Sequence, residues 1–351
     1  MSSKDKMSII IPTYNESNNI EELIERLEIA LLNINFEIII IDDDSPDDTG
    51  YIAKNMKKKF NNIIVVIRKN KKGLSSAILD GINISSGKYV AVMDADLQHP
   101  PEILMHMYKN ILNNKDIIIA SRYSGVKIKN WPLLRIFISK TAIFISRRLF
   151  PKIKDISDPM SGFFIFNKEI LNNVKLNPIG FKILLEILIK SNYDSVEEIS
   201  YEFRNRKYNK SKMGIMQIIN FIKQIILLNN YRIIKFALVG ISGIIINELL
   251  LYYLSLKYNL LLSSIVAIES SILTNFFFND TWTFKNKNRQ RNIFLRYFKY
   301  HSFVLLGAIV NFIVLIMLTK IGLNLLISNI IGIFLGFIIN YISSENFVWT
   351  S

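Results

Sequence analysis

The sequence predicts a doubly wound α/β domain followed by an all-helical membrane domain, and three observations carry that prediction. Short apolar runs alternate with helical patterns up to about residue 230, four long apolar runs with few charges follow, and acidic clusters stand directly after two of the short runs. The chain has 351 residues, half of them apolar, and a formal net charge of +14. That length suits two domains better than one.

The short runs are Met7 to Ile11, Ile38 to Ile41, Ile63 to Ile67, Tyr89 to Met93 and Ile117 to Ala120. Their β-branched content and lack of alternation predict strands covered on both faces, as in a parallel sheet. Helical patterns lie between them at Asn19 to Leu32, Asp47 to Phe60, Leu74 to Ile84 and Pro101 to Leu112. This order implies right-handed crossovers, with ligands expected outside the carboxyl ends of the strands. Phe137 to Leu149 and Met213 to Leu228 read as apolar helices that lie in the membrane interface or pack in a core.

The long runs are Phe236 to Leu256, Leu260 to Asn279, Ser302 to Lys320 and Leu323 to Ser343. Each has roughly 20 residues, enough to cross a bilayer core as a helix. Lys285, Lys287, Arg289, Arg291, Arg296 and Lys299 cluster between the second and third runs. The positive-inside rule makes that loop cytoplasmic, so four spans place both termini and the α/β domain on the cytosolic side. The opening MSSKDKMSIIIPTYNE has too short an apolar run before Pro12 for a secretory signal. Much of the positive charge therefore faces anionic lipid, and with no basic stripe interleaved with aromatics, nucleic acid is not an expected partner. Within the spans, Glu248 and Glu269 are either functional carboxylates or helix-to-helix hydrogen-bonding groups with Asn247, Asn275 or Asn311.

Composition excludes several chemistries. The chain has no cysteine and three histidines. Thiolate nucleophiles, disulfides, iron–sulfur clusters and cysteine zinc sites are absent, and any metal is expected to be hard and oxygen-bound. No GxxxxGK[ST] or post-strand GxGxxG occurs, which argues against a P-loop NTPase and a dinucleotide dehydrogenase.

The second strand runs into Asp42, Asp43 and Asp44, and the fourth into Asp94, Ala95 and Asp96. Two carboxylate clusters on one sheet edge repel each other unless a cation or donors intervene; capping of the next helix is the rival account and suits Asp47. On an extended Asp-Ala-Asp both carboxylates point one way, and Gln98 shares that parity if the strand geometry continues. Such a cation completes its shell with water and phosphate, so a nucleotide diphosphate is the expected substrate.

The segments from Ile9 to Glu16, Asp42 to Asp47 (DDDSPD), Gly73 to Gly81 (GLSSAILDG) and Asp94 to Glu102 (DADLQHPPE) resemble family 2 GT-A glycosyltransferases. More narrowly, DPMSGFF at Asp158 to Phe164 and NPIGFKILLEIL at Asn177 to Leu188 are similar to the dolichyl-phosphate mannose synthases. The four-span tail resembles the GtrA-like membrane domain fused to some archaeal members. The resemblance implies a GT-A catalytic domain over 1–212, an amphipathic interface helix and linker over 213–232, and a GtrA-like four-helix domain over 233–351.

It also implies roles. Pro12, Tyr14, Glu16, Ile41 and Asp43 would hold the guanosine part of GDP-mannose, and Asp94, Ala95, Asp96 and Gln98 would meet diphosphate, sugar and metal, with Mg²⁺ or Mn²⁺ on Asp94, Asp96 and Gln98. Arg122 would face the donor diphosphate or acceptor phosphate. Arg135 and Ser139, after the Trp131-Pro132 turn, would bind the lipid phosphate. Arg206 and Lys212 match a basic pair of the pattern R…GxSK, with Asn209 where glycine is usual. Asp94, Asp96, Arg122 and Arg206 form the expected catalytic set. The implied reaction transfers mannose from GDP-mannose to dolichyl or polyprenyl phosphate with inversion at the anomeric carbon. UDP-glucose transfer to the same lipid class is the alternative, and a lipid flippase with an inactive nucleotide domain a remote one.

Overall fold

The computed structural model describes residues 5–69, 73–123, 133–177, 179–202, 214–287 and 292–349. The chain forms two compact units, Met1–Ile225 and Ile226–Ser351.

In the first unit, β1 (Met7–Thr13), β2 (Phe36–Asp42), β3 (Ile63–Ile67), β4 (Tyr89–Val92) and β5 (Ile117–Ser121) occupy the five expected runs. The helices α1 (Ser17–Ala30), α2 (Thr49–Met56), α3 (Leu74–Ile84) and α4 (Ile103–Ile111) lie between them. β1 and β2 are buried at every position, which is why their isoleucine runs show no alternation. Their side chains join those of α1 and α4 in a core containing Ile9, Leu23, Leu27, Ile38, Leu104 and Met107.

The sheet has seven strands in the order β3-β2-β1-β4-β6-β5-β7, adding β6 (Phe164–Asn167) and β7 (Val196–Ser200) to those expected. β6 runs antiparallel between β4 and β5, whereas β7 extends the edge parallel to β5. The helices α5 (Leu133–Leu149) and α6 (Ile183–Lys190) complete the unit together with α7 (Ile215–Leu228), whose last three residues fall past its end at Ile225.

The second unit contains α8 (Arg232–Ser255), α9 (Leu260–Phe278), α10 (Ile293–Lys320) and α11 (Leu325–Ser343). With their terminal turns, these four helices are long and apolar enough to cross a membrane. Asn259, Asn292 and Asn324 cap α9, α10 and α11, each side chain accepting a bond from a first-turn backbone N–H. The third span starts nine residues ahead of its apolar run, because Arg296 is buried against Asp280 at 3.1 Å and does not end the helix. Glu269 pairs with His301 at 3.1 Å and Glu248 accepts from Asn247 at 3.4 Å, so both acids are engaged by polar neighbours on the helices.

Candidate active site

The carboxyl ends of β1, β2 and β4, with α5 and α7, enclose a cavity of about 590 Å³. Pro12, Tyr14, Glu16, Asp43, Asp94, Ala95, Asp96, Gln98, Arg122 and Ser139 line it. Ile41, next to Asp42 at the end of β2, is not among the lining residues, and its side chain is fully buried. Arg206 and Lys212 lie outside the described residues, and Arg135 is placed on α5 by its backbone alone.

Asp42 and Asp43, at the end of β2, are satisfied internally, whereas Asp44 is exposed. Asp42 accepts from the Thr13 hydroxyl at 2.8 Å and from the backbone N and hydroxyl of Ser45 at 2.9 and 2.6 Å. One oxygen of Asp43 takes Nε and Nη2 of the buried Arg68, with Nε at 2.7 Å, and the other takes Gly73 N at 2.7 Å. Gly73 adopts φ +133°, a conformation open to glycine and strained for other residues, which lets its N–H meet Asp43. Asp47 bridges two helix starts, its oxygens accepting from Ser17 N at 3.0 Å and Thr49 N at 3.2 Å. Glu16 stands at the start of α1 and accepts from the Asn19 side chain at 2.7 Å. Arg68 thus balances Asp43, neutral donors satisfy Asp42 and Asp44 faces solvent, so donor groups stand within the first acidic cluster, as the sequence expectation required.

Asp94 and Asp96 converge for a different reason from strand parity. β4 ends at Val92, and Leu97 adopts the left-handed conformation at φ 59°, unusual for a bulky residue. The tripeptide lies in a bend and not on an extended strand, Gln98 N donates to Asp96 Oδ1 at 3.1 Å, and Asp94, Asp96 and Gln98 all line the cavity. Strain held at such a position is a mark of functional sites.

Asp94 is positioned by residues from two elements. Its backbone N–H donates to His99 Nδ1 at 3.2 Å, which leaves the imidazole proton on Nε2, 4.0 Å from Asp94 Oδ2. His99 is buried and stacks on Phe163 at 5.1 Å. Burial pushes its pKa down to about 4, outweighing the upward pull of Asp96, so the ring is neutral at pH 7. A Cβ on Gly162 would lie 3.0 Å from Asp94 Oδ2, so the glycine makes room for the carboxylate.

Cationic groups reach the same cavity. Arg122 donates through Nε and Nη2 to the two oxygens of buried Asp158 at 2.7 and 2.8 Å. Burial alone would lift the Asp158 pKa, and the guanidinium overrides it and holds the carboxyl below the usual range. Glu198 of β7 fixes the anchor by accepting from Ser157 N and Asp158 N at 2.7 and 2.9 Å. Lys182 also lines the cavity and donates to Met160 O at 3.0 Å. Ser139 accepts from the Tyr123 hydroxyl at 2.8 Å.

The sequence reading assigned no role to Asp158 or Lys182, although both lie in the motifs that carry the resemblance. A carboxylate whose partner is 36 residues away has no local signature.

Asp94, Asp96 and Gln98 offer oxygen donors alone, which suits a hard divalent ion. Among the described residues no three acidic or histidine side chains converge to hold an ion unaided. The donor set therefore fits an ion that takes the rest of its shell from a diphosphate and water.

The mixed sheet and its acid-lined rim define a GT-A glycosyltransferase. Residues 8–175 match Glycosyl transferase family 2, and residues 235–349 match the GtrA/DPMS transmembrane domain. A dolichol-phosphate mannosyltransferase of Pyrococcus furiosus is 46% identical over 353 residues, covering 99% of this chain and all of the relative. The enzyme of that name from Saccharomyces cerevisiae is 36% identical over 231 residues, 62% of this chain and 85% of its own. Among solved structures, glucosyl-3-phosphoglycerate synthase from Mycobacterium tuberculosis, bound to Mn²⁺, UDP-glucose and phosphoglyceric acid, shares the fold. It has a TM-score of 0.52 at 18% identity, over 64% of this chain and 80% of the synthase. The chain belongs to the dolichol-phosphate mannosyltransferase family of family 2 glycosyltransferases.

Proposed function

We propose that the protein transfers mannose from GDP-mannose to dolichyl phosphate, with inversion and with a divalent ion bound at Asp94, Asp96 and Gln98. The observation that carries this function is one cavity lined by the acid pair and by Arg122 and Lys182, whose two helical walls expose large apolar side chains, on α5 beside the basic Lys140, Arg147 and Arg148. Ile138, Ser139 and Ala142 of α5 face the cavity, whereas Phe137 and Phe144 are exposed. Gln217, Asn220 and Phe221 of α7 face it, whereas Met216, Ile219 and Ile222 are exposed. Helices with such faces suit the membrane interface, where an isoprenoid phosphate presents its headgroup. The named relatives support mannose as the sugar and dolichyl phosphate as the acceptor.

Pro12, Tyr14, Glu16 and Asp43 seat the nucleoside; Asp43, balanced by Arg68, offers an oriented acceptor instead of an isolated charge. Arg122, held rigid by Asp158, places positive charge beside the phosphates, and Lys182 and Ser139 add donors on the same side. Arg135, Arg206 and Lys212 join them by resemblance. The bound ion supplies charge neutralisation to the departing nucleoside diphosphate. The acceptor oxygen is anionic near neutral pH and needs no side chain to take its proton, consistent with a buried, neutral His99. Displacement at C1 from the face opposite the diphosphate inverts the anomer. Orientation and fixed charge carry the rate.

The basic loop between α9 and α10 and the even number of spans support a cytoplasmic catalytic unit and cytoplasmic termini. The division into a catalytic part, an interface helix and a membrane part places its second segment on α7, across the boundary between the two compact units.

The test is purified protein with Mg²⁺ or Mn²⁺, a polyprenyl phosphate and labelled GDP-mannose, UDP-glucose and UDP-mannose in parallel. Mannosyl lipid from GDP-mannose is expected. Label entering lipid from UDP-glucose alone would overturn the assignment.

A further inference from the structure

The membrane unit repeats itself. Arg232, Lys235, Phe236, Gly243 and Asn247 of the first hairpin (α8–α9) recur in order and spacing as Arg296, Lys299, Tyr300, Gly307 and Asn311 of the second (α10–α11). At the hairpin ends, NFFFNDTWTF (275–284) is matched by NYISSENFVW (340–349), with Asn, an aromatic residue, an acid and a final aromatic in register. A fixed internal period of this kind marks a repeated supersecondary unit.

The structure repeats with it. A Cβ on Gly243 would meet Asn275 Nδ2 at 2.3 Å, and one on Gly307 would meet Asn340 Oδ1 at 2.1 Å, so each hairpin closes by an asparagine packed flat on a glycine. α9 runs into a π-turn at Asn279–Thr283 and α11 into one at Ser344–Val348. Each turn is closed by the same bond, Phe284 N to Asn279 O at 2.9 Å and Trp349 N to Ser344 O at 3.0 Å.

Contacts between the hairpins are exchanged reciprocally. Arg232 of the first holds Glu345 of the second at 2.9 Å, with Lys287 on the same carboxylate at 2.8 Å, and Arg296 of the second holds Asp280 of the first at 3.1 Å. The corresponding rings Phe284 and Trp349 stack on each other, 4.3 Å apart and 10° from parallel. Around them the flanking pairs correspond: Phe276 stacks on Trp349 at 5.9 Å and 24°, and Tyr341 on Phe284 at 6.4 Å and 25°. Residue i of one half touching j of the other, and j touching i, is the signature of an isologous, two-fold interface. Both hairpins start at the same end, so the axis runs along the helices and between Phe284 and Trp349.

We propose that the membrane unit is two copies of one helical hairpin, and that the face each presents around its arginine, acid and terminal aromatic is a self-complementary interaction surface. The partner that face fits is a second hairpin of the same design, supplied here by the same chain. The crossed ion pairs fix which arginine meets which acid, while the apolar lengths of the helices remain available to lipid.

The test uses the full-length protein in detergent, read by size-exclusion profile and thermal midpoint and independent of catalysis. Arg232→Glu and Arg296→Glu each lower the midpoint, by roughly 5 °C or more. Glu345→Arg, made together with Lys287→Gln because Lys287 also pairs with Glu345 at 2.8 Å, restores the first and Asp280→Arg the second, whereas the acid of the variant's own hairpin restores neither. A second chain, in which residues 296–349 are replaced by another copy of 232–284, stays monodisperse and fully helical. Rescue by the acid of the same hairpin, arginine reversals without effect, or a replaced chain that aggregates while the crossed rescues succeed would each overturn the proposal. Should every reversal prevent folding, the replaced chain decides alone.

Discussion

Asp158→Asn keeps the shape of a fully buried side chain and removes the charge that balances Arg122. In the native protein Asp158 receives Nε and Nη2 of Arg122 at 2.7 and 2.8 Å and the Arg122 backbone N at 3.3 Å. An asparagine turns one acceptor into a donor facing a guanidinium and leaves that guanidinium without its counter-charge. Removing one partner of a buried pair costs about 3–5 kcal/mol. Arg122 borders the cavity and water reaches part of it, so the low end applies, about 3 kcal/mol. At roughly 2–4 °C per kcal/mol for a unit of this size, the midpoint falls by about 6–12 °C. Loss of a positioned cation should also lower kcat by about a hundredfold.

The pH dependence supplies a second check. The folded pKa of Asp158 lies below its unfolded value, so its contribution is complete above about pH 4 and lost as pH falls through the folded value. The gap between native and variant midpoints should therefore stay constant from pH 8 to 5 and narrow only in stronger acid. Thermal unfolding in detergent at each pH reads it. A variant with a native midpoint and native kcat, or a gap that closes between pH 7 and 5, would refute the role given to Asp158.

Other outcomes follow from the same geometry. Glu37 is raised by burial but held down to about 2 by Lys6, Ser8 and Ser86, so its contribution, up to about 3 kcal/mol, is complete above about pH 4.5 and lost toward pH 2. Glu37→Gln should flatten the acid limb of the stability curve there, and an unchanged limb would contradict the assignment. Gly162→Ala places a methyl 3.0 Å from Asp94 Oδ2 and should lower kcat by about tenfold or more with a midpoint within roughly 2 °C of native; native kcat would show that Asp94 has slack. The chain has no native thiol, so a cysteine at Asn288 should react with an impermeant maleimide in intact cells only after permeabilisation, and labelling without it would reverse the proposed topology.

Much of the architecture was legible because its signals are local. Isoleucine runs buried on both faces announce central parallel strands, and long apolar runs announce the spans. β6 escaped notice because it is four residues entering from a turn, and β7 because Glu197 and Glu198 break its apolar pattern at the sheet edge. The site was legible as residue types and less so as geometry. The acidic tripeptide was found, but it lies in a bend after β4 and not on an extended strand, and Arg68 pairs with Asp43 from a different strand end. Asp158 and Lys182 act through partners distant in sequence, which no spacing rule reaches.

The most direct trial of the central claim is mannosyl-lipid synthesis by the purified protein before and after exhaustive EDTA treatment, with Asp96→Asn alongside. Transfer should vanish on chelation, return with added Mg²⁺ or Mn²⁺, and remain absent in the variant under every condition. Undiminished synthesis after chelation, or a native rate in Asp96→Asn, would contradict an acid pair that acts by holding a cation against the donor diphosphate.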